Sequence, residues 1–240
     1  MTRLIQGRFE NVTNLPAVDL VIMDPPDNIG KPYKEFVDRV PDITYVAQLR
    51  GWLTRARQVT NGPIFLLVNE RWIADVEHVL REIEMPPIQR LWWYYSFGQC
   101  HRIRYAPCIR PIYWLNNPQV FPEAIRVPSA RQEKYGDKRA KPGGKMPANV
   151  WEFSRVCGTF KERRKWHSNQ IPEGLLERII LGHSKPGNTV LDPFIGSGSS
   201  AYVCERTNRK CIGIDVSQTY LDRIEVELRT RRQREKDSAA

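Results

Sequence analysis

The chain has 240 residues, 41% hydrophobic and 10% aromatic, enough apolar material for one α/β domain with a sizeable core; that excludes a wholly disordered chain. Its 37 Lys and Arg outnumber 27 Asp and Glu, and the resulting net charge of +10 favours an acidic partner. No stretch reaches the roughly 18 uninterrupted apolar residues of a membrane span, the first residues lack a signal-peptide core, and the cysteines are scattered without a Cys-x-x-Cys pair, so a cytosolic protein with reduced thiols is expected. Cys100, His101 and Cys108 lack a second ligand pair at structural spacing, and no metal is expected.

In chain order, the apolar run Val18 to Met23 is halted by Asp24-Pro25-Pro26. Two prolines cannot continue a central strand, so a buried strand ends with an acid at its carboxyl tip. Val46, Leu49, Trp52, Leu53, Ala56 and Val59 recur at helical spacing over residues 43–59, and Asn61-Gly62-Pro63 closes that segment. Pro63 to Val68 predicts the next buried strand. A second amphipathic helix from Trp72 to Ile83 is ended by Pro86-Pro87, and strands follow at Leu91 to Tyr95 and Ile109 to Leu115. Strands and helices joined by short links imply parallel pairing in a doubly wound sheet.

Charge then concentrates. From Arg126 to Trp166 twelve basic residues face four acidic ones, a net of +8, among Pro128, Pro142, Gly143, Gly144 and Pro147, which predict loops or a small insertion. Aromatic residues (Tyr135, Trp151, Phe153, Phe160, Trp166) are interleaved, so the segment can neutralise phosphates and offer stacking faces. Nucleic-acid contact is expected there, through Arg131, Lys134, Lys138, Arg139, Lys141 and Lys145. The C-terminal basic run, Arg229 to Lys236, reads as solvated surface.

The alternation resumes with a helix opened by Pro172 and carrying Leu175, Ile179 and Ile180 on one face. Thr189 to Asp192 is a strand, Pro193 to Ser200 a glycine turn, the helix through Ala201 and Cys204 follows, and the strand Lys210 to Ile214 ends in Asp215. Missing Cβ atoms at Gly196 and Gly198 let a ligand approach the backbone, and Asp215, 23 residues after Asp192, can grip ribose hydroxyls. The turn lacks Gly-Lys-Ser/Thr, so an adenosine ligand without a phosphate chain fits better than a triphosphate. Asp24 ends a strand of the same sheet and therefore opens on the same crevice.

Asp24-Pro25-Pro26-Asp27-Asn28-Ile29-Gly30 resembles the catalytic Asp-Pro-Pro-Tyr-Asn-x-Gly motif of the DNA amino-methyltransferases, and Leu191 to Ser199 resembles their S-adenosylmethionine loop. Asn149 to Phe153 and His167 to Ile180 resemble the segment preceding that loop. Catalytic motif first and cofactor loop last is the order of the β class, whose target-recognition region lies between. The resemblance implies a Rossmann-like, doubly wound, mostly parallel methyltransferase sheet in permuted motif order. A single domain over 1–240 is expected, with a catalytic half (1–116), a basic recognition insertion (117–150) and a cofactor half (151–240).

It also implies roles. S-adenosylmethionine would lie against His167, Gln170, Asp192, Pro193, Phe194, Gly196, Ser197 and Gly198, with Asp215 on the ribose. The Asp24 carboxylate and the Pro25 carbonyl, in the motif Asp24, Pro25, Pro26 and Asp27, would accept hydrogen bonds from a flipped base's amine and favour direct in-line methyl transfer. Asp27 stands where the family has the stacking Tyr. A carboxylate cannot stack and adds a second negative charge beside Asp24; Tyr33, or an aromatic from Trp92 to Phe97, could supply the lost face. Ser168 and Ile171 replace the commoner Pro and Lys. The expected activity is adenine-N6 methylation of DNA, with cytosine-N4 as runner-up and a catalytically weakened DNA-binding protein as the alternative from another class. The short insertion suggests a short site, relaxed specificity or a second subunit. Cytosine-carbon methylation through Cys108 is set aside, because that thiol lies away from the strand-end motif.

Overall fold

The computed structural model describes residues 1–31, 35–96, 98, 102–139 and 143–239. Tyr33, Phe97, Cys100, His101, Lys141 and Pro142, all named above, lie outside them. Eight strands form one sheet in the order β1 (Thr2–Gln6), β8 (Lys210–Asp215), β7 (Thr189–Asp192), β2 (Leu20–Met23), β3 (Ile64–Leu67), β5 (Ile109–Leu115), β4 (Gln89–Tyr94), β6 (Val150–Glu152). The helices are α1 (Asp42–Val59), α2 (Ile73–Glu82), α3 (Ala130–Tyr135), α4 (Glu173–His183), α5 (Ser199–Arg206) and α6 (Gln218–Ala239). None of them is long and apolar enough to cross a membrane.

Every residue of β2 and β3 is buried, as expected of central strands covered on both faces. Their side chains alternate between two cores. Val21, Met23, Ile64 and Leu66 pack with Leu49, Leu53 and Val76 of α1 and α2. Leu20, Ile22, Phe65 and Leu67 pack with Leu175, Ile179 and Val203 of α4 and α5 and with Ile224 of α6. Helices on both faces of a mainly parallel sheet make this an α/β, doubly wound fold.

Two neighbours in that sheet come from opposite ends of the sequence: Leu20 of β2 pairs with Val190 of β7, and Val21 with Leu191, in parallel. From β2 the chain proceeds outward to β3, and from β7 it proceeds the other way to β8, so a crevice opens between their carboxyl ends.

The pairing departs from the expected parallel pattern at β5, which runs antiparallel to both β3 and β4. The described residues between Tyr94 and Ile109 include no helix, and without a crossover the chain returns as a hairpin. This leaves the β4–β5 connection at the same end of the sheet as Asp24. Pro172 is the residue capping α4, one position before the helix, instead of its first helical residue.

The stretch after β5 is anchored on α4. The Phe121 N–H donates to the Gly182 carbonyl at 2.6 Å, and Ile125 packs where a Cβ on Gly182 would stand at 3.0 Å. Val127 and Lys145 bridge in antiparallel fashion around α3, whose capping box joins Ser129 and Gln132.

Candidate active site

Asp24 leaves β2 at the mouth of a cavity of about 1190 Å³. The following loop is built to hold one shape. Asn28 and Gly30 take left-handed backbone at φ 56° and 78°. The Asp38 carboxylate accepts the N–H groups of Asn28 at 2.8 Å and Lys31 at 2.9 Å, and the Asn28 side chain pairs with both backbone groups of Val40. Below it, the Tyr45 hydroxyl donates to the Pro26 carbonyl and the Trp72 indole to the Asp27 carbonyl, each at 2.7 Å, with the two rings 4.4 Å apart.

Arg110 reaches in from β5. One terminal nitrogen donates to Asp24 at 2.5 Å and to Asp27 at 2.9 Å, and the other meets the second Asp27 oxygen at 3.3 Å. Lys31 closes on Asp27 at 2.5 Å. Two carboxylates and two cations thus form a neutral quartet. Burial of Asp27 pushes its carboxyl up, but Arg110 and Lys31 outweigh burial and hold it below the usual range. For Asp24 burial wins over Arg110, and its carboxyl is raised. The second negative charge expected beside Asp24 is therefore neutralised by Arg110 and Lys31, and Asp27, although it lines the cavity, is only 2% exposed.

On the other side of the crevice, Asp192 ends β7 and accepts the Ser200 hydroxyl at 2.5 Å and the Phe194 N–H at 3.1 Å. Burial raises its carboxyl to about 7. Asp215 ends β8, raised by burial, and accepts the N–H groups of Gly196 and Ser217, each at 2.9 Å. With a further bond from the Val216 N–H, the carboxylate still keeps lone-pair capacity for a hydroxyl. Gly196 is required where it stands: its φ is 43°, and a Cβ would fall 2.7 Å from His167 Nε2. Burial lowers the His167 imidazole to about 4; it is neutral, with Nδ1 accepting the Asn169 N–H. Two buried carboxylates and a glycine turn beside a neutral ring suit an adenosine-bearing cation, so the residues present fit S-adenosylmethionine.

Asp24, Pro25, Pro26 and Asp27 line the same cavity as His167, Gln170, Asp192, Pro193, Phe194, Gly196, Ser197 and Asp215. Gly198 does not line it. That residue caps α5 at φ 78°, and a Cβ there would strike Ile224 of α6 at 2.7 Å. Both ends of the Gln170 amide are engaged by backbone, at Arg164 N–H and the Glu162 carbonyl. Of the aromatics considered for the missing ring, Trp93 and Tyr95 face the cavity. Arg131, Lys134, Lys138, Arg139 and Lys145 are exposed and away from it. Arg110, Lys31, Tyr45 and Trp72 were not singled out from the sequence. The signal for Arg110 was present as a lone cation inside the apolar run Ile109 to Leu115, where unpaired charge is rarely buried.

Comparison with known proteins agrees with this geometry. A family model described as DNA methylase, of the N6/N4 type, matches residues 18–226. The type II methyltransferase M.HpaI of Haemophilus parainfluenzae is 34% identical over 213 residues, covering 86% of this chain and 66% of that protein. The DNA adenine methyltransferase YhdJ of Escherichia coli K12 is 29% identical, covering 85% and 74%. The chain thus spans about two thirds of the length of M.HpaI. Among solved structures, the cytosine-N4-specific PvuII DNA methyltransferase superposes with a TM-score of 0.71 at 14% identity, over 91% of this chain and 83% of that one. The M1.HpyAVI complex with its cofactor, at 20% identity, gives 0.62 over 92% and 96%. The fold is that of the S-adenosylmethionine-dependent methyltransferases, and the chain belongs to the N6/N4 DNA methylase family.

Proposed function

We propose that the chain transfers a methyl group from S-adenosylmethionine to the exocyclic N6 amine of adenine in DNA. The observation that carries this reading is that Asp24 and the Asp192–Asp215 turn, from opposite ends of the sequence, open on one cavity. An aspartate opening the motif favours adenine over cytosine in the family that the motif resembles, and a named adenine methyltransferase is among the relatives.

The cofactor supplies an electrophilic methyl on a sulfonium. Asp215 would hold the ribose hydroxyls, and Asp192 would offset positive charge at the methionine end. Phe194 and His167 complete the wall. The Asp24 carboxylate, held toward the cavity by Arg110, and the Pro25 carbonyl would accept the two amine hydrogens and aim the nitrogen lone pair. Trp93 and Tyr95 would present a face to a base taken out of the duplex. Arg131, Lys134, Lys138, Arg139, Lys141 and Lys145, in the 117–150 insertion, would contact phosphate.

The test is transfer of tritiated methyl to unmethylated DNA, followed by nucleoside analysis. Label in N6-methyldeoxyadenosine supports the reading; label in N4-methyldeoxycytidine replaces the base assignment. Asp24→Ala is expected to lower transfer by at least about a hundredfold while retaining cofactor binding by calorimetry. Full activity in that variant would remove Asp24 from the reaction.

A further inference from the structure

The described residues of the β4–β5 connection are pinched together into a stem where they leave the sheet. The Tyr95 N–H donates to the Cys108 carbonyl at 2.9 Å. A Cβ on Gly98 would lie 1.8 Å from the Pro107 carbonyl oxygen, so the two limbs meet backbone to backbone and glycine is required there. Beyond the stem, Arg102, Ile103, Arg104 and Tyr105 alternate cation with large apolar side chain, and all are exposed, Ile103 at 96% and Tyr105 at 99%. Neither arginine has an ion-pair or hydrogen-bond partner among the described residues.

The fold buries neither Ile103 nor Tyr105, although removing such large apolar surface from water is what folding ordinarily gains from. Their position is informative. Arg104, Tyr105 and Pro107 line the mouth of the cavity that holds Asp24. Three residues after Pro107 comes Arg110, the partner of Asp24. Five residues, from Tyr105 to Arg110, span at most about 18 Å, so the tip stays within reach of a nucleotide leaving a stack beside the cavity. Apolar tips flanked by unpaired guanidinium groups complement a duplex, whose phosphates lie outside and whose stacked bases lie within.

We propose that residues 102–105 form a DNA-entering finger. Arg102 and Arg104 engage phosphates, and Ile103 and Tyr105 occupy the space vacated by the flipped base. The inference rests on the methyltransferase reading above, and its two measurements separate the two. In the first, Arg102→Gln/Arg104→Gln is compared with the unaltered chain for binding to native unmethylated genomic DNA across a salt series. The expected result is a log–log salt slope shallower by about 2; an unchanged slope overturns the finger whether or not the chain methylates. In the second, Ile103→Ser/Tyr105→Ser is assayed for methyl transfer to native and heat-denatured DNA. Transfer to native DNA is expected to fall by about tenfold or more, and transfer to denatured DNA by about twofold or less, because a base already unstacked needs no wedge. An equal fall on both, or no fall on native DNA, overturns the proposal. A variant that binds DNA normally but loses self-association in sedimentation would also overturn it and assign the tip to a second copy. Absence of transfer by the unaltered chain to either DNA counts against the methyltransferase reading alone, with the salt series still deciding the finger.

Discussion

Arg110 gives Asp24 its orientation. With one carboxylate oxygen on the guanidinium, the other is left for the cavity, and the positive charge opposes the burial that would protonate the group. The charged groups around Asp24 are Asp27 and Lys31 on its own loop, Arg110 on β5 and Asp192 on β7, with the neutral Tyr45 hydroxyl on α1 close by. Removing Arg110 leaves two carboxylates side by side, so Arg110→Met raises the Asp24 carboxyl further. The proposed transfer uses the ionised Asp24 as acceptor, and protonation grows as pH falls. The acidic limb of the rate profile should therefore move to higher pH, by about one unit or more. Adding Asp27→Asn removes the repulsion and should bring part of the limb back, whereas a purely structural Arg110 would lower the rate at every pH alike. Asp27 is thus legible in two stages. Its identity against the family motif was plain in the sequence, but its charge balance was not, because Arg110 arrives from 83 residues away.

Arg164 shows how charge counting along a sequence misplaces a residue. It belongs to the basic stretch expected to meet nucleic acid, yet its side chain is buried, donating to Glu173 at 2.6 Å and Glu227 at 3.2 Å and stacking on Tyr202. Arg231 joins both of these acids and Arg206 joins Glu173, while Arg232 pairs with Glu205, so part of the C-terminal basic run also staples α6 to α4 and α5 instead of standing free in solvent. Trp151, counted as a stacking face, is likewise core. Truncating Arg164 to Ala removes the most buried cation of this network and leaves Glu173 to Arg206 and Arg231, so it should cost about 1.5–3 kcal/mol in urea unfolding; a loss below about 1 kcal/mol would mean that the network is spare. Legibility of the elements follows burial. The strands β2, β3, β5, β7 and β8 have apolar runs bounded by turn residues, and each was readable. The edge strands β1 and β6 are part-exposed and carry no such run. The helix α6 buries Leu221, Ile224 and Leu228 along one narrow stripe under a mostly charged surface, which hides its period.

Across the whole molecule the +10 charge divides into two kinds. Some of the cations are spent internally, as Arg110 and Arg164 are, and Arg139 is forked on Asp137. Arg131, Lys134 and Lys138 stand exposed on and just beyond α3 without an ion pair among the described residues. Neutralising these three to Gln should make the log–log salt dependence of DNA affinity shallower by about 2.7 while leaving cofactor affinity unchanged, and an identical slope would return them to ordinary surface. The placement of β2 beside β7 also has a consequence for biosynthesis. One flank of β2 stays uncovered until the ribosome has added some 170 further residues, because its neighbour Val190 is made that much later than Leu20. Long-range pairing of this kind is slow and leaves an apolar strand edge open in the nascent chain. A product stopped before β7 therefore has no working remnant to offer, and its exposed β2 edge makes it a candidate for chaperone capture or degradation.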